Sequence, residues 1–183
     1  MFGTGAAPEG IDQNPVYYEY LFDTAWHASP QPLEAWFASY PTRRYGKATD
    51  QATDAWQLLG STVYHTQAGG WHDDTGVEWN ALSPPPMSGA GHPWDGSGSR
   101  GGAFPTDAVY KAWKLLVDSG AADPKTCATF NYDVVNAGRE VLAQIITIIE
   151  GNLTAAVASG QRSDMLASAS TLMDAYADLD ELL

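Results

Sequence analysis

From Asn131 to Gly160 apolar residues recur at helical spacing without interruption, and after a short break the pattern resumes and runs to the last residue. In the first run Val134, Val141, Ile145, Ile148 and Leu153 form the stripe, with Asp133, Arg139, Glu140 and Glu150 expected largely off it. In the second, Met165, Ala169, Leu172, Tyr176, Leu179 and Leu183 alternate in steps of four and three, a heptad seam. Two long amphipathic helices in succession must bury their stripes on each other or on further helices. A mainly α architecture follows, and the seam is expected to pack on a neighbouring bundle helix.

Shorter helices precede them. Asn14 is a suitable N-cap and Pro15 suits the first helical position of "NPVYYEYLFDTAWHA". "PLEAWFASYPTRRYG" predicts a second helix that Pro41 kinks or divides and Gly46 ends. "TDQATDAWQLLGSTVYHT" predicts a third, and "PTDAVYKAWKLLVDSG" a fourth that stops at Gly120. Between these last two, Gln67 to Pro105 is rich in Gly and Pro, carries Trp71, Trp79 and Trp94, and keeps no helical period. Such long loops in compact domains are uncommon and usually functional or disordered.

The opening "FGTGAAPEG" reads as a strand end running into a loop, and no partner strand follows it anywhere. An unpaired strand leaves backbone donors and acceptors unsatisfied. The chain is therefore expected to be a piece of something larger, or to dock on a partner.

Composition removes several functions. The 183 residues are 44% hydrophobic and 17% charged, which is globular. A net charge of −13 with only nine Lys and Arg argues against nucleic acid, whose phosphates need basic clusters. Cys127 is the single cysteine, so neither an internal disulfide nor a cysteine-based zinc site is expected. No apolar run is expected to reach membrane-spanning length, and Met1-Phe2 does not begin a signal peptide. Asn152-Leu153-Thr154 fits the N-glycosylation acceptor pattern.

Few residues offer chemistry. "GTGAAP" misses the dinucleotide fingerprint because Pro8 stands for the third glycine and no helix opens there. No pair among His27, His65, His72 and His92 has H-x₃-H spacing; His72-Asp73-Asp74 is the one His/carboxylate cluster, read as a solvated loop with a hard-cation or zinc site as the alternative, and no serine sits in a nucleophile elbow. That leaves Glu9, between Pro8 and Gly10. Local chemistry leaves two readings open: an acid favoured ahead of a helix N-terminus, or a carboxylate aimed into a cleft.

Gly3-Thr4-Gly5, Pro8-Glu9-Gly10-Ile11, Gln13-Asn14 and Tyr18 closely resemble the segment around the catalytic nucleophile of the α-N-acetylglucosaminidases of glycoside hydrolase family 89. Similar elements follow in order: Arg43 to Gly46, Ala55-Trp56, Val63-Tyr64, Ala112 to Leu116, Tyr132-Asp133 with Arg139, and the final "LDELL". The resemblance implies that residues 1–28 are the last part of a (β/α)8 catalytic barrel, a short strand and a helix. Residues 29–183 would be an incomplete all-helical C-terminal domain, bundle-like, with a long loop at 67–105.

It further implies a retaining exo-glycosidase that removes terminal α-linked N-acetylglucosamine from glycans, with Glu9 as nucleophile and no cofactor or metal. Retaining enzymes pair two carboxyl groups about 5–5.5 Å apart. The family's acid/base glutamate lies upstream in the barrel and has no match here, so the chain alone is expected to be nearly inactive. Asn14 and Tyr18 are expected as scaffold in the vicinity of the substrate site, and His72 corresponds to a loop histidine approaching it. Arg43 and Arg44 are expected to bond carboxylates or helix ends.

Departures from the family pattern are Ala6 in place of methionine, His65-Thr66 in place of Asn-Cys, and Gly138 before Arg139. The implied partners are the glycan and the missing barrel and remaining helical domain of the same protein. A homo-oligomer stays open, and the implied location of the parent is lysosomal, vacuolar or secreted. Two alternatives stand beside this: a non-catalytic helical module binding through the Met165–Leu183 seam, and a sugar binder using Trp71, Trp79 and Trp94.

Overall fold

The computed structural model describes residues 5, 15–29, 31–65 and 106–183. The regular structure among them is helical: α1 (Pro15–Thr24), α2 (Leu33–Tyr45), α3 (Asp50–Ser61), a 3₁₀ turn (Val63–His65), α4 (Thr106–Asp118), α5 (Ala128–Ser159) and α6 (Arg162–Leu182). The mainly α expectation holds. The short strand expected before α1 and the loop at 67–105 lie outside the described residues.

Local chemistry sets the ends. Thr49 caps α3 by accepting the Ala52 N–H at 3.2 Å. Gly46 and Gly160 close α2 and α5 in the left-handed conformation, at φ of 77° and 68°, where a side chain would be strained. Pro41 does not divide α2, which continues to Tyr45, although the ring removes the N–H that would have bonded the Phe37 carbonyl. The third helix is shorter than its apolar pattern: it stops at Ser61, and Thr62 turns the chain into the 3₁₀ segment, its hydroxyl donating to the Leu58 carbonyl at 2.6 Å.

α3 packs between α2 and α4, α4 packs on α5, and α5 forms an antiparallel-type hairpin connection with α6 through Gly160 and Gln161. The start of α5 also reaches α2. The core is aromatic on the α2–α3 side: Tyr40 lies 4.5 Å from Trp56 and 4.8 Å from Trp36, ring centre to ring centre. Val63, Val109, Ala112, Leu116, Phe130 and Val141 carry it into α4 and α5.

α5 departs from the sequence reading in a specific way. Its Ile145 and Ile148 are exposed, whereas Asp133, Glu140, Gln144 and Glu150 are buried. The helix is covered on more than one side, by α4 and α2 near its start and by α6 further on, so a single stripe does not describe it. Contrary to the expectation that no apolar run reaches membrane-spanning length, by length and composition alone it is apolar enough to cross a membrane, with a mean hydropathy of 1.6 over 18 residues. Its buried polar side chains find hydrogen-bond partners on α5 itself, on α6 and on α2. Gln144 Nε2 donates to Glu140 Oε1 at 2.9 Å, and the Tyr176 hydroxyl of α6 donates to Glu150 Oε1 at 2.8 Å.

Candidate functional site

Of the residues singled out from the sequence, Glu9, Asn14 and His72 lie outside the described residues, as do Trp71, Trp79 and Trp94. Tyr18 is half-buried on α1, its ring edge-on to Tyr17 with centres 5.4 Å apart. What the structure places is the helix that leads directly out of the Glu9 segment, and the groups that hold it. Pro15 and Val16, at the start of α1, line a small cavity of about 20 Å³ together with Tyr64, Tyr132, Asp133 and Asn136. Val16 itself is buried. The first turn of α1 is thus seated against the end of α3 and the first turns of α5.

One guanidinium organises this region. Arg44, in the last turn of α2, donates from Nε and Nη2 to the two carboxylate oxygens of Asp133 on α5, at 2.5 and 2.8 Å. Its remaining Nη1 donates to Glu19 Oε1 on α1 at 2.6 Å. The side chains of Arg44 and Asp133 are 8% and 5% exposed, and that of Glu19 is 38% exposed. Such a two-pronged pair fixes the guanidinium plane as well as the charge. The Tyr45 hydroxyl also donates to Asp133 Oδ2, at 2.8 Å, and in turn accepts the Trp56 indole N–H at 2.9 Å. The Tyr40 hydroxyl donates to Glu19 Oε1 at 3.2 Å. Helices α1, α2, α3 and α5 meet at this knot.

Burial dominates its electrostatics. It pushes the Tyr40 and Tyr45 phenols far above their ordinary value, with the neighbouring carboxylates adding to the effect. Burial alone would weaken the charge on Arg44, but the hydrogen bond and charge of Asp133, with Tyr40 and Glu19, outweigh it and hold the guanidinium ionised. Burial likewise pushes the Asp133 carboxyl up, against the pull of Arg44 and Tyr45.

Two further bonds tie α1 and its connection to α2. The Trp36 indole donates to Asp23 Oδ2 at 2.9 Å, and the Tyr20 hydroxyl donates to the Gln31 carbonyl at 2.9 Å. Arg43 lies over the Trp36 ring, 4.5 Å from its centre, and bonds the Trp36 carbonyl and the Ser39 hydroxyl. Both arginines therefore do structural work, as expected from the sequence. The roles of Glu19 and Tyr45 were not expected. Their partners are 25 and 88 residues away, and no spacing rule reaches that far.

Gly138, a departure from the family pattern, has a packing reason. A Cβ there would stand 2.9 Å from Trp113 Nε1 and 3.2 Å from Leu182 Cδ2, so its absence lets α4 and α6 close on α5. No group of three His, Cys, Asp or Glu residues suited to a metal occurs among the described residues. A groove of about 480 Å³ between α2 and α3, lined by Leu33, Phe37, Leu58 and Ser61 among others, contains none of the residues expected at the site.

A family model described as the alpha-N-acetylglucosaminidase (NAGLU) C-terminal domain matches residues 36–183. The alpha-N-acetylglucosaminidase of Homo sapiens is 29% identical over 187 aligned residues, an alignment that takes in 100% of this chain and 23% of the human protein. The chain thus spans less than a quarter of the length of the curated relative it matches.

Proposed function

The chain belongs to the alpha-N-acetylglucosaminidase C-terminal domain family, and we propose that it is the part of a retaining exo-glycosidase, of glycoside hydrolase family 89, that joins the catalytic barrel to the helical domain. In this reading residues 1–28 are the end of the (β/α)8 barrel and residues 29–183 the first part of the helical domain. The observation that carries it is the human alignment: it runs through the whole chain, including the residues ahead of the family match at 36 that hold the Pro8-Glu9-Gly10 motif.

The reaction is a double displacement on a terminal α-linked N-acetylglucosamine. The Glu9 carboxylate attacks the anomeric carbon and forms a glycosyl ester. The glycosidic bond breaks as the leaving oxygen takes a proton from an acid/base carboxyl of the barrel. Water, deprotonated by that same group, then attacks the anomeric carbon and releases the sugar and the free Glu9 carboxylate. Asn14 and Tyr18 support the segment, and His72 approaches the site from the loop. The knot around Arg44 supports this reading indirectly, since it holds the helix that follows the proposed nucleophile. The parent protein belongs in a lysosome, a vacuole or the secreted space.

The test is hydrolysis of an aryl α-N-acetylglucosaminide by the full-length parent and by its Glu9→Gln variant. Turnover in the parent and a loss of several orders of magnitude in the variant are expected. Wild-type turnover in Glu9→Gln would overturn the assignment. The 183-residue chain alone is expected to show no measurable turnover, because a catalytic unit without one of its members loses most of its rate.

A further inference from the structure

We infer that Asn152 carries an N-linked glycan that covers the exposed apolar stripe of α5. This rests on the location given above for the parent, since the acceptor pattern Asn152-Leu153-Thr154 is read only on chains that enter the secretory path. That triplet is the only one of its kind in the chain. Ile145, Ile148, Asn152 and Ala155 are all exposed and follow one another along α5 at steps of three, four and three, so they share one side of the helix. Ile148 is 57% exposed and Ile145 is 38% exposed. Asn152 stands about 6 Å of helix rise beyond Ile148, and the Cα–Cβ bonds of a helix tilt towards its N-terminus. A sugar chain leaving Asn152 therefore sets out over Ile148.

The surroundings of the triplet suit the attachment. A Cβ built at Gly151 meets nothing within 4 Å, so there is open space beside Asn152 and no packing reason for the glycine. In the folded helix Asn152 and Thr154 point to different sides, as residues two apart do, and the Thr154 hydroxyl is spent on the Glu150 carbonyl at 2.8 Å. The pattern is read as a unit, so the sugar is added before this part of α5 forms. The sequence favours that order: Ile145, Ile146, Ile148 and Ile149 are β-branched and Gly151 is a poor helix former. In the transfer, Nδ2 of Asn152 attacks the anomeric carbon of an oligosaccharide carried on a lipid diphosphate. The carbon–nitrogen bond forms, and the carbon–oxygen bond to the diphosphate breaks with its electron pair staying on the diphosphate. The amide gives up one proton to the transferring enzyme. An exposed apolar stripe favours association, and a bulky, solubilising sugar chain rooted within it keeps other surfaces away.

The experiment uses the full-length parent, expressed from its complete gene in eukaryotic cells, with Asn152→Gln and Thr154→Ala as two independent ways to remove the acceptor. Both side chains are exposed, so neither change disturbs the core. Peptide mass spectrometry of the wild type is expected to find a glycan on the Asn152 peptide. Enzymatic release of that glycan in heavy-oxygen water is expected to leave a labelled aspartate at this position. Both variants are expected to lose the glycan completely. Sedimentation is expected to show them associating at concentrations where the wild type does not, and Ile148→Glu added to Asn152→Gln is expected to reverse the association.

A bare Asn152 on a parent that enters the secretory path would overturn the inference and leave the location standing. A parent that stays in the cytosol would overturn both. If the variants sediment like the wild type, or if Ile148→Glu leaves their association unchanged, the covering role falls. The catalytic reading of Glu9 is tested separately by Glu9→Gln, and none of these outcomes bears on it.

Discussion

Arg44 shows what a single residue settles in this molecule, and what a sequence hides about it. Its neighbourhood in the chain, Arg43 to Gly46, is legible as a helix end. Its partners are not, because Asp133 is 89 positions away and Asp133 itself looked like a solvent-facing acid on an amphipathic helix. The same knot makes a prediction about alkali. Burial holds the Tyr40 and Tyr45 phenols neutral well beyond their ordinary range. A folded-state pKa raised in this way gives stability that is intact below about pH 10, where unfolded tyrosine is also neutral. Above that pH the unfolded chain ionises and the folded one does not, so stability falls. Each phenol contributes a slope of about 1.4 kcal/mol per pH unit. Urea unfolding across that range is expected to show the combined slope, and Tyr45→Phe to remove about half of it. A stability that is flat above about pH 10 would contradict the burial of both rings.

Among the elements, the helix ends marked by glycine were the most legible part of the fold. Gly46, Gly120 and Gly160 all take positive φ, which few other residues tolerate. The heptad seam was legible as a pattern, and α6 packs on α5 with Met165, Ala169, Leu172 and Leu179 of the seam half-buried, but its one buried residue, Ala175, stands beside the seam, and Tyr176 and Leu183 of the seam are exposed. The polar residues of α5 were not legible, because a hydrophobic pattern reports one buried side and this helix has more than one. Its two interior glycines separate packing from propensity. Replacing a helical glycine by alanine favours the helix by about 1 kcal/mol. At Gly151 nothing lies within 4 Å of a new Cβ, so Gly151→Ala is expected to gain that amount. At Gly138 the Trp113 ring stands 2.9 Å away, and overpacking costs about 1–3 kcal/mol, so Gly138→Ala is expected to lose stability on balance. Thermal or urea unfolding of the two variants should therefore shift in opposite directions.

For the whole molecule, the bundle covers its aromatic side well and its α5–α6 side poorly. Ile148 is 57% exposed and Met173 is 68% exposed, with Leu166, Val157 and Leu183 also open to solvent. Exposed apolar surface of this kind favours association, while the charge of −13 opposes it at low ionic strength. Sedimentation of the chain at rising concentration is expected to show self-association that strengthens with salt. Ile148→Glu with Met173→Glu is expected to return it towards the 19.6 kDa monomer, and a monomer at every salt concentration would contradict this. The helical class of the molecule could be inferred from sequence, but the extent of this open side could not, since it depends on which helices lie beside α5. The bond between Arg44 and Asp133 also bears on how freely such a chain can vary in length. It closes a long circuit of chain, and closure entropy grows only with the logarithm of circuit length, by about 0.6 kcal/mol per doubling. Insertions or deletions between residues 66 and 105 should therefore cost the fold little, provided that both ends of the circuit still meet.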